Sequence, residues 1–237
     1  MEGLAVKEIS GLIFDFGCVI TLPQNEKAVA RMLERLNAAG RDGNLPPIGR
    51  DAFLASYNRH RDAYDKGIAS QRQYWLNVLD ELGVRISGEL VEELSELDID
   101  CWFHYDGEML DYIAAQKKEG TKLALLSNIN FEGSAWLRKT ADWIKYFDVL
   151  VLSAEELLLK PEPAIYELCL KKLCLPAGSC LFVDDRQPNI DGARRVGLNG
   201  HLYRGLEGLK KDIAENYRIV HQGVRNGANA PYAGGRS

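Results

Sequence analysis

Four short polar stretches carry the groups of this chain that could do chemistry together. Asp15 closes the apolar run Leu12-Ile-Phe, and Ser127-Asn128 close Leu123-Ala-Leu-Leu. Lys160 stands just before Pro161, and Asp184-Asp185 close Leu181-Phe-Val. Singly, each has an ordinary reading: a strand-end Asp caps a loop, Ser-Asn is a common turn pair, and a Lys before Pro is a solvated surface side chain. Asp184-Asp185 is harder to place. Two adjacent carboxylates after a buried run repel unless something positive lies beside them, or unless both cap the helix that opens near Pro188. A hard cation with oxygen ligands relieves that repulsion, and Mg²⁺ suits carboxylates, retained waters and a phosphate. A carboxylate, a hydroxyl–amide pair, a lysine and a carboxylate pair on one edge make a phosphoryl-transfer site. Asp15 would attack phosphorus, and the acyl phosphate splits one hard displacement into two easier ones. Mg²⁺ on Asp15 and Asp185 would let two anions approach, with Lys160 offsetting charge on both. Ser127 and the amide of Asn128 would hold phosphate oxygens in line.

These groups meet only if their strands lie side by side, because ligands of open parallel sheets bind at the carboxyl ends of the strands. The apolar run 11–20 reads as a strand buried on both faces. Further strands at 122–126, 148–152, 180–183 and 200–203 alternate with helices at 108–119, around Trp136 and Trp143, and at 164–173, 190–196 and 206–217. Such alternation predicts an α/β, Rossmann-like core with a mainly parallel sheet covered on both faces. Between 26 and 97 the period changes. Val29, Met32, Leu33 and Leu36 recur at helical spacing, followed by Phe53, Tyr57 and Tyr64, then Tyr74, Trp75, Val78, Leu79 and Leu82, then Leu90, Val91, Leu94 and Leu97. Gly43, Pro46-Pro47, Gly67 and Gly83 separate them, which predicts an inserted four-helix bundle. The expected organisation is a core over 11–22 and 106–218, a helical cap over 23–105, and a disordered tail over 222–237.

Composition narrows the partners. Among 237 residues, 46% are hydrophobic and 27% charged, which is ordinary globular usage. The 29 basic and 34 acidic residues leave a net charge of −5, so no basic surplus is present to hold a nucleic-acid backbone. Cys18, Cys101, Cys169, Cys174 and Cys180 show no paired CxxC spacing, which argues against a zinc cluster or disulfide scaffold and for a reducing compartment. No apolar run approaches the ~20 residues of a membrane helix. A soluble, cytoplasmic protein with no membrane or nucleic-acid partner is expected. The Trp and Tyr content of the insert permits a dimer surface without requiring one.

At the chemistry-bearing residues the sequence resembles the haloacid dehalogenase-like superfamily. The likeness runs in the family's order over Leu12-Ile-Phe-Asp-Phe-Gly-Cys-Val-Ile20, Leu125-Leu-Ser-Asn128, Leu159-Lys-Pro-Glu-Pro-Ala-Ile-Tyr-Glu167 and Leu181-Phe-Val-Asp-Asp-Arg-Gln-Pro-Asn-Ile190. The insert sits where that family carries a small helical cap, and the sequence is most similar to its sugar-phosphate (glucose-1-phosphate) phosphatase branch. The resemblance implies Asp15 as nucleophile, the carbonyl of Gly17 and the carboxylate of Asp185 as metal ligands, and Asp184 close by or acting through water. It further implies Ser127 and Asn128 on phosphate, Lys160 as the neutralising cation, and Asn189 in support of the metal. The substrate it implies is a small phosphorylated metabolite. One departure stands out: many phosphatases of the family carry a second Asp, as acid and base, where this chain has Gly17. That help is typically worth ~10²–10⁴-fold, so its loss should penalise poor leaving groups. Tyr57, His60 and Tyr64 are the candidate donors from the cap. The resulting expectation is a Mg²⁺-dependent phosphatase. The rivals are a 2-haloacid dehalogenase-type hydrolase and a non-catalytic regulator that binds a phosphate ligand. Cys18 is read as a small buried residue, and Trp102, Trp136 and Trp143 as packing residues.

Overall fold

The computed structural model describes residues 6–40 and 46–221, so Gly43 and the 222–237 tail lie outside the described residues. Five parallel strands build the central sheet: β2 (Gly11–Phe14), β3 (Lys122–Ser127), β4 (Val149–Leu152), β5 (Cys180–Asp184) and β6 (Asn199–Leu202), in the order β4-β3-β2-β5-β6. Strand side chains alternate between faces. Leu12, Phe14, Leu123, Leu125, Leu181 and Val183 enter one hydrophobic layer, while Ile13, Ala124, Leu126 and Phe182 enter the other. Helices α6 (Gly107–Lys118), α7 (Phe131–Thr140), α9 (Pro163–Leu173), α10 (Gln187–Arg195) and α11 (Leu206–Asn216) cover the two faces. Local chemistry starts them: Asp106 accepts from the Glu108 and Met109 N–H groups, Asn130 from Gly133 N–H, and proline opens α9 and α10. This is an α/β, Rossmann-type fold.

The run 11–20 is a strand only as far as Phe14. Beyond Asp15 the chain turns, with the Ile20 and Thr21 N–H groups donating to the Phe16 carbonyl at 2.9 and 3.0 Å. Burial of Phe16, Val19 and Ile20, not strand pairing, explains the continued apolar pattern. The chain leaves toward the helical insert at Thr21 and returns at Tyr105, and these two residues form an isolated antiparallel bridge. The insert contains five helices where four are expected: α1 (Glu26–Ala39), α2 (Arg50–Arg59), α3 (Arg61–Asp65), α4 (Gln71–Glu81) and α5 (Gly88–Trp102). The stretch from Phe53 to Tyr64 breaks at His60, where the backbone changes direction while Phe53, Tyr57 and Tyr64 all stay in one buried cluster. The helix expected around Trp136 and Trp143 is likewise two pieces, because α7 ends at Thr140, Ala141 is extended, and a 3₁₀ turn carries Asp142–Tyr146.

Three elements escape the sequence reading. The short helix α8 (Ser153–Glu156) follows β4 directly. Strands β1 (Lys7–Ile9) and β7 (Tyr217–Ile219) form a separate parallel pair. Their three-residue length and half-exposed side chains leave no periodic signal. No helix among the described residues is long and apolar enough to cross a membrane.

Candidate active site

The sheet order places β2 between β3 and β5, where the connections diverge to opposite sides, and their carboxyl ends open a crevice. Phe14 is in register with Leu125 and Val183, so Asp15 emerges between the ends of β3 and β5. Asp15 N–H donates to the Val183 carbonyl at 2.9 Å, and its Oδ1 accepts from Phe16 N–H at 2.7 Å. Cys18, in the left-handed region at φ 57°, turns the chain back, and its N–H donates to Thr21 Oγ1 at 3.0 Å. The Asp15 backbone is therefore pinned to β5, and its carboxylate to the next N–H.

Lys160 is almost fully enclosed. Its Nζ lies 2.6 Å from Asp15 Oδ1 and 2.8 Å from Asp184 Oδ2, and 5.4 Å from the Phe182 ring centroid. Asn128 fixes the lysine's backbone: Lys160 N–H donates to Asn128 Oδ1 at 2.8 Å, and Asn128 Nδ2 donates to the Lys160 carbonyl at 3.0 Å. The Lys160–Pro161 peptide is cis. Asp184 has no solvent exposure and accepts from Arg186 N–H at 2.8 Å and from Asn189 Nδ2 at 3.0 Å to each oxygen. Asp185 is the more accessible of the pair and lines a cavity of about 350 Å³ together with Asp15, Gly17, Asn128 and Lys160.

Charge in this pocket is unbalanced. The carboxylates of Asp15, Asp184 and Asp185 present oxygens all within 4.8 Å of one another, against the ammonium of Lys160 between them and the guanidinium of Arg186 on the cavity wall. Burial, most of all, pushes the Asp15 carboxyl up; Lys160 pulls it down, while Asp184 and Asp185 add to the rise. Burial and then Asp184 raise Asp185. Burial opposes the charge on Lys160, but Asp15 and Asp184 outweigh it and hold its pKa above the ordinary value. Three hard oxygen donors with surplus negative charge suit a divalent cation such as Mg²⁺, which would neutralise the excess.

Of the residues singled out from sequence, Asp15, Gly17, Tyr57, Asn128, Lys160, Asp185 and Asn189 share the cavity, and Asp184 braces it from beside Lys160. Ser127 ends β3 fully buried, its hydroxyl reaching the Asn128 carbonyl at 3.4 Å, and it is not among the cavity-lining residues. The candidate donors fare differently. His60 pairs with Glu81 at 2.8 Å away from the cavity, and Tyr64 donates to Glu132 at 3.0 Å. Burial raises the Cys18 thiol to about 11, so it stays protonated as a small wall residue.

On the opposite wall the sequence pointed to Tyr57 and Trp102 but missed Arg61 and its carboxylate partners. Arg61 spans three partners there: its Nη1 donates to Tyr57 Oη and to Asp98 Oδ2, both at 2.8 Å, and its Nε to Asp65 Oδ1 at 3.0 Å. Tyr57 donates to Asp98 and accepts from Trp102 Nε1 at 3.0 Å. Burial opposes the charge on Arg61, but Asp65 and Asp98 outweigh it. The i,i+4 spacing of Arg61 and Asp65 was the one legible signal, while Asp98 and Trp102 arrive from another helix. Contacts across the gap tie this wall to the sheet side: Lys66 pairs with Glu162 at 2.6 Å, and Ser153 Oγ donates to the Asp65 carbonyl at 2.5 Å.

A family model for haloacid dehalogenase-like hydrolases matches residues 9–197. The chain is 26% identical to D-ribitol-5-phosphate phosphatase of Bacteroides thetaiotaomicron over 80% of its own length and 89% of that protein. It is 31% identical to a sesquiterpene phosphatase of Aspergillus oryzae over 43% of its own length and 52% of that protein. It spans between 8% and 37% of the length of other curated relatives. A haloacid dehalogenase family enzyme of Bacteroides thetaiotaomicron, solved with magnesium and inorganic phosphate, shares the fold at a TM-score of 0.61 and 20% identity, with 83% and 94% of the two chains covered. Solved dehalogenases share it at TM-scores of 0.58 to 0.60.

Proposed function

Because the chain belongs to the haloacid dehalogenase-like hydrolase family, we propose that it is a Mg²⁺-dependent phosphatase acting on a small phosphomonoester through an aspartyl phosphate on Asp15. The observation that carries this reading is the Asp15–Lys160–Asp184 array at 2.6 and 2.8 Å, with Asp185 alongside and surplus negative charge. Its support from relatives is the likeness to two phosphatases.

Asp15, Asp185 and the Gly17 carbonyl would hold the metal, which when bound supplies positive charge to the phosphoryl oxygens and lowers the repulsion between phosphate and carboxylate. Asp184, already occupied by Lys160, Asn189 and Arg186 N–H, holds the lysine in place and acts on the metal at most through water. Lys160 offsets charge on the nucleophile and on the incoming phosphate. Asp15 attacks phosphorus and the ester oxygen leaves. Water then attacks the phosphorus of the aspartyl phosphate, releasing inorganic phosphate and restoring the carboxylate. The helical wall closes the cavity opposite and excludes bulk water. Five cysteines, none of them in a disulfide, suit work in a reducing cytoplasm.

The test is phosphate release from a panel of sugar, polyol, nucleoside and aryl phosphates, with Mg²⁺, with chelator, and with Asp15→Asn. Release that needs the metal and disappears in the variant supports the reading. Chelator-insensitive halide release from 2-haloacids would replace it with the dehalogenase reading. Ligand-dependent stabilisation with no product from any substrate would replace it with a phosphate-binding regulator.

A further inference from the structure

We infer that this site, taken as the phosphatase just proposed, prefers esters whose leaving group is planar, weakly basic and without further negative charge: an aryl or enol phosphate over an alkyl phosphate. The first observation is at Gly17. A Cβ built there would meet Trp102 Cζ3 at 3.6 Å and Cε3 at 4.0 Å, so a side chain at this position would lie in ordinary van der Waals contact with an indole, and this chain places none there. Among the described residues, the carboxyls clustered with the nucleophile are Asp184 and Asp185, both taken up by the lysine and the proposed metal, and Gly17 adds none to protonate a departing oxygen.

The second observation is that the buried and half-buried polar groups of the helical wall, Tyr57, Arg61, Asp65 and Asp98, are spent on each other, while Asp62, which also lines the cavity, is exposed to solvent. The Tyr57 proton is directed at Asp98, and burial above all holds its pKa well above the ordinary tyrosine value. Trp102 Nε1 donates to Tyr57, and Arg61 is shared among Tyr57, Asp65 and Asp98. Lys160, on the other side, is paired twice. The apolar lining this wall offers a substrate comes from Trp102, Phe103 and Ile99. A flat ring fits such a surface by offset or edge-to-face contact.

The third observation is charge. Asp62, Asp65 and Asp98 face the cavity against Arg61 alone, so this wall is net negative and repels a second carboxylate or phosphate on the substrate.

The chemistry follows from the missing acid. Asp15 forms a bond to phosphorus as the bond to the ester oxygen breaks, and that oxygen leaves with the electron pair as a free oxyanion that later takes a proton from solvent. A phenol ionises near pKa ~10, about six units below water, so a phenolate can leave unprotonated where an alkoxide cannot. The second step needs no acid, because its leaving group is the Asp15 carboxylate; the attacking water gives up its protons to a phosphate oxygen and to solvent.

The experiment compares kcat/KM for phenyl phosphate and cyclohexyl phosphate, matched in size, with Mg²⁺ present. The wild-type protein should favour phenyl phosphate by at least ~10²-fold, the lower range of what general acid help is worth. A substituted phenyl series should show rates rising steeply as the phenol becomes more acidic. Gly17→Asp, alone or combined with Trp102→Ala to give the carboxyl more room, should narrow the phenyl preference about tenfold or more by raising the cyclohexyl rate. Trp102→Leu should raise KM for phenyl phosphate more than it lowers kcat. A wild-type ratio below about ten, or a flat phenyl series, would overturn the inference while leaving the phosphatase reading intact. No phosphate from either ester, nor from the wider panel, would overturn the phosphatase reading itself.

Discussion

Replacing Lys160 by Met tests whether the buried ion array is what the pocket is built around. The side chain is 1% exposed, and its ammonium bridges two carboxylates that are 9% and 0% exposed. Met is unbranched and of similar length, so packing alone should cost under ~1.5 kcal/mol. Charge dominates. At an effective dielectric constant near 20, each contact of this length is worth several kcal/mol of attraction, and removing one member of a buried pair typically costs ~3–5 kcal/mol. Asp15, Asp184 and Asp185 would then face one another with no cation between them. For a chain of this size each kcal/mol moves the melting temperature by about 2–4 °C. Lys160→Met should therefore melt about 6–20 °C below wild type in chelator, followed by calorimetry or circular dichroism. Adding Mg²⁺ should recover part of that loss, and adding Asp184→Asn should recover more, because one of the unpaired carboxylates is gone. A variant melting within 2 °C of wild type in chelator would refute the reasoning, since it would mean the ammonium balances nothing.

Other perturbations isolate other parts. Mg²⁺ at about a hundred times its dissociation constant should stabilise the wild-type protein by ~2.7 kcal/mol and Asp185→Asn by much less, seen as a smaller shift in melting temperature. Gly192→Ala places a methyl 2.8 Å from Pro161 Cβ, 2.9 Å from the Pro161 carbonyl oxygen and 2.9 Å from Tyr166 Oη. It should cost ~1–3 kcal/mol by urea titration and lower turnover by shifting the loop that carries Lys160. Trp75→Ala, at a fully buried position of the helical insert, should cost ~3–5 kcal/mol in the same titration. Glu155 is held below its ordinary 4.5, first by hydrogen bonds from Arg138 at 2.9 and 2.7 Å, with Ser134 adding to them against partial burial. Its contribution is complete above about pH 4.5 and lost as pH falls through its lowered pKa. Since the pair is largely solvated, Glu155→Gln should remove only about 0.5 kcal/mol at pH 7, and the difference from wild type should shrink as pH falls below 4.5.

Much of this protein is legible in one dimension. Alternating βα texture and the apolar runs ahead of Asp15, Ser127 and Asp184 reflect local rules: side-chain period and burial of a strand on both faces. Those rules also put the chemistry at strand ends, which is why most of the site could be named from sequence. The apolar run after Asp15 misled, because burial looks the same whether the backbone pairs as a strand or turns. His60 drew attention by its type, yet tertiary packing gave it Glu81 for a partner and turned it from the cavity.

Only the folded chain could decide the rest. β1 and β7 pair across a span in which Glu8 and Arg218 stand 210 residues apart, and no local pattern specifies such a partner. The 2.6 and 2.8 Å placement of Lys160 depends on β2 lying between β3 and β5 and on Asn128 gripping the lysine's backbone. The opposite wall depends on α2, α3 and α5 meeting so that Arg61 reaches Asp98 and Trp102 covers Gly17. The sequence by itself determined which elements form and which residues stand at their ends, because periodicity and capping are local. The tertiary structure decided which side chains face one another, because those distances are set by how elements pack across the sheet edge and not by any spacing along the chain.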